Sequence, residues 1–209
     1  MDSFIVARWA WVFDWLRTLS PFNLVRFLAP EKTKTSGFVD CWVVGHSVLV
    51  LLCLALSPQG DFRWWEKVDI AYGAIRVFET VVYQANVLLF EEWRAKKAGK
   101  KYAVRGYKRL VILAAHTYLE ILLWFALAFR NFSPSFESQH IQLDTFVGSI
   151  YFAFVTVATI GYGDITPKEL TGAWLVVFQS IIGLFMTLML FARFVGLLRS
   201  PDTLDETEQ

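Results

Sequence analysis

Four long apolar runs restrict what this chain can fold into. They cover residues 38–57, 68–90, 109–129 and 170–198. A helix needs about 20 mainly apolar residues to cross the hydrocarbon core of a bilayer. Because lipid offers no partners to backbone amides, each run is predicted to be a helix that satisfies its own hydrogen bonds. The sequence therefore predicts an all-α membrane protein with four transmembrane helices.

The overall composition places the chain in the same class. Of 209 residues, 56% are hydrophobic and 17% are aromatic, and the mean hydropathy is +0.44. A soluble domain of this size is less apolar. We therefore expect membrane lipids around the protein and no nucleic-acid partner.

A fifth apolar stretch is too short to cross the membrane. Residues 144–158 lie between the third and fourth predicted spans. A helix rises about 1.5 Å per residue, so this stretch is shorter than the bilayer core. It is predicted to be a re-entrant helix that enters the membrane without crossing it.

The segment after the re-entrant helix carries the strongest functional pattern. Residues 159–164 read Thr-Ile-Gly-Tyr-Gly-Asp. Four copies of a short extended segment can surround a dehydrated K⁺ ion with backbone carbonyl oxygens. Neighbouring carbonyls turn toward one axis only if alternate residues reach dihedral angles that a Cβ disfavours, which explains the two glycines. The predicted ion-binding residues are Thr159, Ile160, Gly161, Tyr162 and Gly163.

This segment resembles the selectivity filter of potassium channels, and residues 144–198 resemble the pore module of that superfamily. The filter differs from the sequence Thr-Val-Gly-Tyr-Gly only at Ile160. The aromatic residues of the re-entrant helix are similar to those of two-pore-domain channels. The resemblance implies an outer helix, a pore helix, a filter and an inner helix. Since one such loop is present per chain, it implies a homotetramer around a central pore, with K⁺ as the permeant ion, no cofactor and no catalytic residue.

The resemblance also implies which residues support the filter. Tyr162 is expected to be held from behind by Tyr151 and Phe152. Asp164 is expected to accept a hydrogen bond, with Tyr151 as the donor. Val155 stands where proton-gated bacterial relatives carry an acidic residue behind the filter. That exchange weakens the route by which those channels close at the filter.

On the predicted inner helix, Gly183 stands where the family carries its hinge glycine. A glycine lowers the cost of bending a helix, but close helix packing is the favoured interpretation for a transmembrane glycine. The family pattern implies that five residues below it face the pore axis, two of them, Phe191 and Val195, forming an apolar constriction that closes by dewetting. The five are Leu184, Thr187, Phe191, Ala192 and Val195.

The distribution of charge predicts the orientation, although the net charge is only +1. Residues 91–109 are rich in lysine and arginine, as cytoplasmic loops are. Alternation of the spans then places both termini in the cytoplasm and the filter toward the outer face of the cell membrane. Four regions are predicted: interfacial helices in 1–36, a peripheral two-helix region in 37–108, the pore module in 109–199 and an acidic cytoplasmic tail in 200–209.

The first 30 residues are expected to be retained, because Asp2 and Asp14 interrupt the apolar pattern of a signal sequence. Apolar residues at helical spacing predict an amphipathic helix there. Ser20 and Pro21 resemble the cap and first-turn proline of a second helix that ends near Leu28. The first helix either lies in the inner membrane interface or packs on the cytoplasmic side of the channel itself.

Several ionisable residues lie inside the predicted spans, where charge is costly. Arg76 and Glu79 are three residues apart and are predicted to pair. Arg76 does not repeat along the helix, so a voltage sensor is not supported. His116 and Glu120 are spaced as metal ligands or a proton-sensing pair would be, but hydrogen bonds between helices are favoured because no third ligand is apparent. His46 is interpreted in the same way.

Three other functions are alternatives to a K⁺-selective channel. Non-selective cation channels of the superfamily usually alter the filter Tyr or Asp, and here Tyr162 and Asp164 are intact. Channel-like potassium transporters carry four filter repeats in one chain. A membrane-embedded metal or sensor protein would use the histidines and glutamates of the spans. No nucleophile elbow, phosphate loop or zinc signature is present, so an enzyme is not expected.

Overall fold

The computed structural model describes residues 4–33, 35–56, 64–99 and 107–196. The predicted outer turn at 57–67 lies largely outside the described residues. Part of the basic loop, the end of the fourth predicted span and the acidic tail also lie outside them. The described residues form helices connected by short segments, so the all-α prediction is confirmed.

The chain contains eight described α-helices and one short strand pair. Helices α4, α6 and α8 correspond to the first, third and fourth predicted spans, and α7 to the re-entrant helix. The four-residue α3 was not predicted. The elements are α1 Phe4–Thr18, α2 Pro21–Leu28, α3 Pro30–Thr33, α4 Ser36–Leu56, α5 Trp64–Lys97, α6 Tyr107–Asn131, β1 Phe136–Ser138, α7 Phe146–Val157, β2 Ile165–Pro167 and α8 Leu170–Val195.

Within the described residues, three helices are both long enough and apolar enough to cross a membrane, namely α4, α6 and α8. Helix α5 is longer than any of them, but Asp69, Arg76 and Glu79 interrupt its apolar character. Arg76 and Glu79 are buried in protein. The helix predicted at 68–90 is therefore present, and its crossing of the membrane stays a prediction.

Helix α6 is the centre of the molecule. More than half of its apolar stretch, 56%, is buried, compared with 22% for α4 and for α8. It packs against α4, α5, α7 and α8. The core between these helices includes Leu127, Phe129 and Phe152, each nearly inaccessible. Helix α6 therefore connects the pore elements on one side with the peripheral helices on the other.

The N-terminal helices lie against α5. The Phe13 and Phe90 ring centroids are 5.3 Å apart, and Asp14 pairs with Arg94. Helix α1 thus packs on the protein, while its tryptophans, Trp9 among them, are exposed on its other side. The packing interpretation of α1 is supported by these contacts, and a place in the membrane interface stays a prediction.

The start of α2 corrects one prediction. Pro21 occupies the first turn as expected, and the helix ends at Leu28. The Ser20 side chain makes no capping hydrogen bond to α2. Its hydroxyl instead donates to the Glu79 carboxylate of α5. Glu79 also accepts from the Phe22 amide at 2.6 Å, so the carboxylate of α5, and not the Ser20 hydroxyl, is the acceptor for the first turn of α2.

Candidate functional site

Helix α7 has a well-defined start and stop. The Thr145 hydroxyl accepts a hydrogen bond from the Gly148 amide at 3.0 Å, which caps the helix. A Cβ on Gly148 would overlap the carbonyl oxygen of Gln142, so the tight entry into α7 requires glycine. The helix ends at Val157, immediately before the filter segment. Its negative dipole end therefore lies beside the start of that segment.

The filter segment has an alternating backbone. Residues Thr159, Gly161 and Gly163 have φ angles of 56°, 60° and 77°. The left-handed conformation predicted for the two glycines is confirmed. A Cβ added at either glycine would meet nothing within 4 Å, so the requirement is conformational and not one of space.

Thr159 shares the left-handed conformation, which the sequence did not predict. For a residue with a Cβ this costs about 1–2 kcal/mol. Such strain is typical of functional sites. The hydrogen bond from its amide to the Thr156 carbonyl, at 3.1 Å, helps to hold this conformation.

The base of the filter is anchored to α7. The Ile160 amide donates to the Val155 carbonyl at 3.0 Å. The Val155 side chain is buried, as expected for a position behind the filter. The α7 backbone therefore sets where the filter begins.

The exit of the filter is braced by one tyrosine and one acid. The Tyr151 hydroxyl donates to Asp164 Oδ2 at 2.7 Å, as predicted. The Tyr151 and Tyr162 rings are parallel, with centroids 6.5 Å apart. The hydrogen bond to Asp164 raises the pKa of Tyr151 to about 12, so the phenol keeps its donor proton at neutral pH.

Phe152 does not take part in this brace. Its ring packs edge-on against Phe129 and Phe136, with centroids 4.8 and 5.4 Å away, and is buried in the core. The prediction that Phe152 holds Tyr162 from behind is therefore wrong within one chain. Successive residues of a helix point about 100° apart, so Tyr151 and Phe152 cannot face the same element.

A small rim outside the filter ties its exit to the loop after α6. Strand β1 pairs antiparallel with β2, and the Gln139 amide donates to the Asp164 carbonyl at 2.9 Å. The Ser135 carbonyl accepts from the Lys168 amide at 3.0 Å. These contacts join residues separated by about 30 positions, and no local pattern in the sequence indicated them.

Two contacts of α8 against α7 position the filter from below. A Cβ on Gly183 would overlap the Cγ2 atom of Val157, so α8 and the end of α7 approach as closely as glycine permits. Close packing, the favoured interpretation of Gly183, thus has a specific partner. Gln179 donates its amide to the Ala153 carbonyl at 2.7 Å and is almost fully buried. Sequence reasoning missed Gln179, although a lone amide in an apolar helix is a usable signal.

The face of α8 expected to line the pore is exposed in the chain. Leu184, Phe191 and Val195 are 61%, 67% and 47% accessible, and Ala192 is exposed as well. Thr187 is exposed as well, and its hydroxyl contacts the Gly183 carbonyl at 2.8 Å and the Tyr118 hydroxyl of α6 at 2.9 Å. That the five residues face a pore axis stays a prediction.

The ionisable residues of the spans form a buried cluster. Arg76 pairs with Glu79, as predicted, and also bonds both carboxylate oxygens of Glu120 at 2.8–3.0 Å. His46 bonds the Tyr72 hydroxyl at 2.7 Å, which confirms a contact between helices for that residue.

His116 does not join Glu120. Its Nδ1 lies 3.0 Å from the Ile112 carbonyl on its own helix, so the hydrogen bond between helices favoured for His116 is not seen, whereas Glu120 makes one with Arg76 of α5. Among the residues that the structure describes, no three His, Cys, Asp or Glu side chains are grouped as metal ligands. The two carboxylates of the cluster, Glu79 and Glu120, both bond Arg76.

Comparison with known families adds one finding. Residues 117–200 match a family model described as ion channel. The match covers most of α6, the whole of α7, the filter and α8. No curated protein and no solved structure matches the chain.

Proposed function

Because residues 117–200 belong to an ion-channel family, we propose that this chain is one subunit of a K⁺-selective channel that conducts potassium passively across the membrane. The alternating left-handed backbone at Thr159, Gly161 and Gly163 carries this proposal. It is the conformation that turns successive carbonyls of residues 159–163 toward one ion path. No cofactor is needed, since the oxygens of the chain replace the water shell of the ion.

The subunit is completed by three further copies. Ile160 and Tyr162 are 48% and 68% accessible in one chain, although both are large and apolar or aromatic. The face of α8 carrying Leu184, Phe191 and Val195 is equally uncovered. A fourfold arrangement covers these surfaces and closes the ring of carbonyls, so we propose a homotetramer.

The proposed channel lies in the inner membrane of the cell with both termini in the cytoplasm. Helix α5 ends with Arg94, Lys96 and Lys97, which fits a cytoplasmic end. The exposed tryptophans of α1 suit the headgroup region of the inner leaflet, so membrane lipids are the expected partners. The peripheral region 37–108 then surrounds the pore module 109–199.

Selectivity for K⁺ over Na⁺ is favoured over non-selective conduction. The Tyr151–Asp164 hydrogen bond and the parallel Tyr151 and Tyr162 rings hold the filter wall at one width. A filter that does not discriminate between K⁺ and Na⁺ does not require its width to be fixed in this way.

Closure is proposed at the lower end of α8. Phe191 and Val195 are one helical turn apart on the exposed face. Four such pairs would form an apolar neck that water leaves when the helices converge.

The purified chain in liposomes tests the function. Under opposed K⁺ and Na⁺ gradients, the reversal potential should follow the K⁺ gradient, and the mass in detergent should be that of four chains. A reversal potential near zero would support a non-selective cation channel instead. A monomeric or dimeric mass without ion flux would reject the channel.

A further inference from the structure

The N-terminal helix α2 is attached to the membrane helices through one carboxylate. Glu79 Oε1 accepts a hydrogen bond from the Phe22 amide at 2.6 Å and another from the Ser20 hydroxyl. The Phe22 ring meets Trp42 of α4 edge-on, with centroids 5.5 Å apart. We call these contacts of Ser20 and Phe22 with Glu79 and Trp42 the docking contact.

Among the residues that the structure describes, few other contacts hold α2 in place. None of its residues is buried, and Leu24, Phe27 and Leu28 are 62%, 82% and 72% accessible. The side of α2 away from α4 and α5 therefore gains nothing from protein packing. The position of the helix depends on its first turn, so a small loss there is enough to release it.

Glu79 also belongs to the chain of charges that reaches the pore module. Arg76 bonds Glu79 with one guanidinium nitrogen and Glu120 with the others. Glu120 is fully buried in α6 and accepts a further hydrogen bond from Trp124 Nε1 at 3.3 Å. A continuous path of polar contacts therefore runs from the α2 backbone to the outer helix of the pore.

The charges in this path make the contacts interdependent. Two carboxylates, Glu79 and Glu120, share one guanidinium inside the membrane region, so each depends on every donor available. When α2 is released, Glu79 loses two hydrogen-bond donors. Its interaction with Arg76 then becomes stronger. The bidentate contact of Arg76 with Glu120 must then weaken or rearrange, because a hydrogen-bond network of this kind is coupled.

We propose that α2 is a built-in regulatory element whose docking on Glu79 sets the packing of α5 against α6 and thereby the open probability of the pore. The proposal rests on the proposed channel function for its effect on conduction. By linkage, whatever shifts the pore between two states also shifts α2 between docked and released.

The full-length chain tests this with a spin label at Phe27→Cys, after Cys41→Ser and Cys53→Ser. Ser20→Ala should raise the mobile fraction of the label about fivefold, the effect of losing one hydrogen bond, and Glu79→Gln should raise it at least as much, because the charge that both α2 donors bond is lost. Their combined effect should be smaller than the product of the two, since both act on one contact. Asp40→Asn is the matched control, because Asp40 pairs with Arg109 between α4 and α6 and does not touch α2.

Single-channel recording of the unlabelled variants completes the test. Ser20→Ala and Glu79→Gln should change the open probability in the same direction, and Asp40→Asn should leave label mobility unchanged. The proposal is overturned if label mobility does not change, or if the effects of Ser20→Ala and Glu79→Gln on mobility simply multiply. It is also overturned if α2 is released and the open probability stays the same. Label mobility reports docking whether or not ions flow, so a failure of the channel function is distinguishable from a failure of the docking.

Discussion

The pore half of the molecule, α6 to α8, and the peripheral half, α1 to α5, are held together by different physics. The pore half relies on unusual backbone angles at Thr159, Gly161 and Gly163 and on close apolar contacts such as Gly183 with Val157. The peripheral half has ordinary helices, and its buried charges Arg76 and Glu79 connect it to Glu120 of the pore half. Arg76 and Glu79 are among its least accessible residues.

The difference teaches where each half tolerates change. A filter made of backbone carbonyls tolerates many side-chain substitutions but not the replacement of a glycine. A buried ion pair tolerates small changes in the backbone but not the loss of one of its charges. The two halves meet on α6, where Glu120 faces the peripheral cluster and Phe129 faces α7.

The largest expected effect comes from the filter backbone. Gly161→Ala should abolish K⁺ current, since a left-handed residue becomes strained and the carbonyl ring loses its geometry. Gly99 is also left-handed, with φ 65°, but lies in a loop outside the pore half. Gly99→Ala should cost about 1 kcal/mol of stability and keep the current. Equal loss of current in both variants would show that strain alone, not filter geometry, is responsible.

The next largest effect is expected at the buried charges of the peripheral half. Arg76→Gln should destabilise the protein by about 3–5 kcal/mol, because two buried carboxylates lose their only shared cation within the cluster. Arg109→Gln is the control, since the pair of Arg109 with Asp40 is about half exposed and contributes about 0–1 kcal/mol. Thermal unfolding in one detergent measures both.

Adding Glu120→Gln to Arg76→Gln removes one of the stranded charges. The double variant should recover part of the lost stability. If it melts no higher than Arg76→Gln alone, the cluster is not held by charge balance.

A smaller effect is expected where α8 touches α7. Gly183→Ala should cost about 1–3 kcal/mol, because the new methyl group overlaps Val157. Val157→Ala in the same chain should restore much of that loss by removing the overlapping atom. If Gly183→Ala instead lowers the open probability without loss of stability and Val157→Ala gives no rescue, Gly183 acts as a hinge.

The proposed constriction at Phe191 and Val195 can be tested through the open probability of the channel. Phe191→Ser should wet the apolar neck and raise the open probability several-fold, an effect of order 1 kcal/mol on the closed state. Phe178→Ser is a suitable comparison, because Phe178 of α8 is similarly exposed, at 53%, and lies about 140° around the helix from Phe191. Equal responses of the two variants in single-channel recordings would remove Phe191 as the gate.

The smallest effect is expected at the filter brace. Tyr151→Phe removes the hydrogen bond to Asp164 and keeps the ring beside Tyr162. Filter inactivation should accelerate, or the K⁺ to Na⁺ permeability ratio should fall a few-fold. Unchanged currents in long depolarising steps would remove this role. Because the pKa of Tyr151 is raised to about 12, the wild-type bond should persist throughout the neutral pH range and be lost only in strong alkali.

Much of the pore half was predictable from the sequence because its signals are local. Apolar run length predicted α6 and α8, as it did α4 of the peripheral half, and the short stretch at 144–158 predicted α7. The spacing of Gly161 and Gly163 predicted a left-handed alternation, since few other functions need it.

The supporting residues were harder to assign. Tyr151 was predicted correctly and Phe152 was not, because a resemblance gives positions along a helix but not what surrounds each face. Gln179 and the β1–β2 rim were missed because their partners lie far away in the sequence. The peripheral half had no recognisable family, so only its helical pattern and the pairing of Arg76 with Glu79 were predicted.

The sequence by itself determined the membrane class, the helices and the left-handed backbone at Gly161 and Gly163, because apolar length and glycine spacing act over a few neighbouring residues. Only the tertiary structure decided where each buried charge finds its partner. Arg76 and Glu120 are 44 positions apart, and Ser20 and Glu79 are 59 positions apart. A buried charge must be neutralised wherever the fold brings an opposite charge within reach, and that choice depends on helix packing, which no local pattern records.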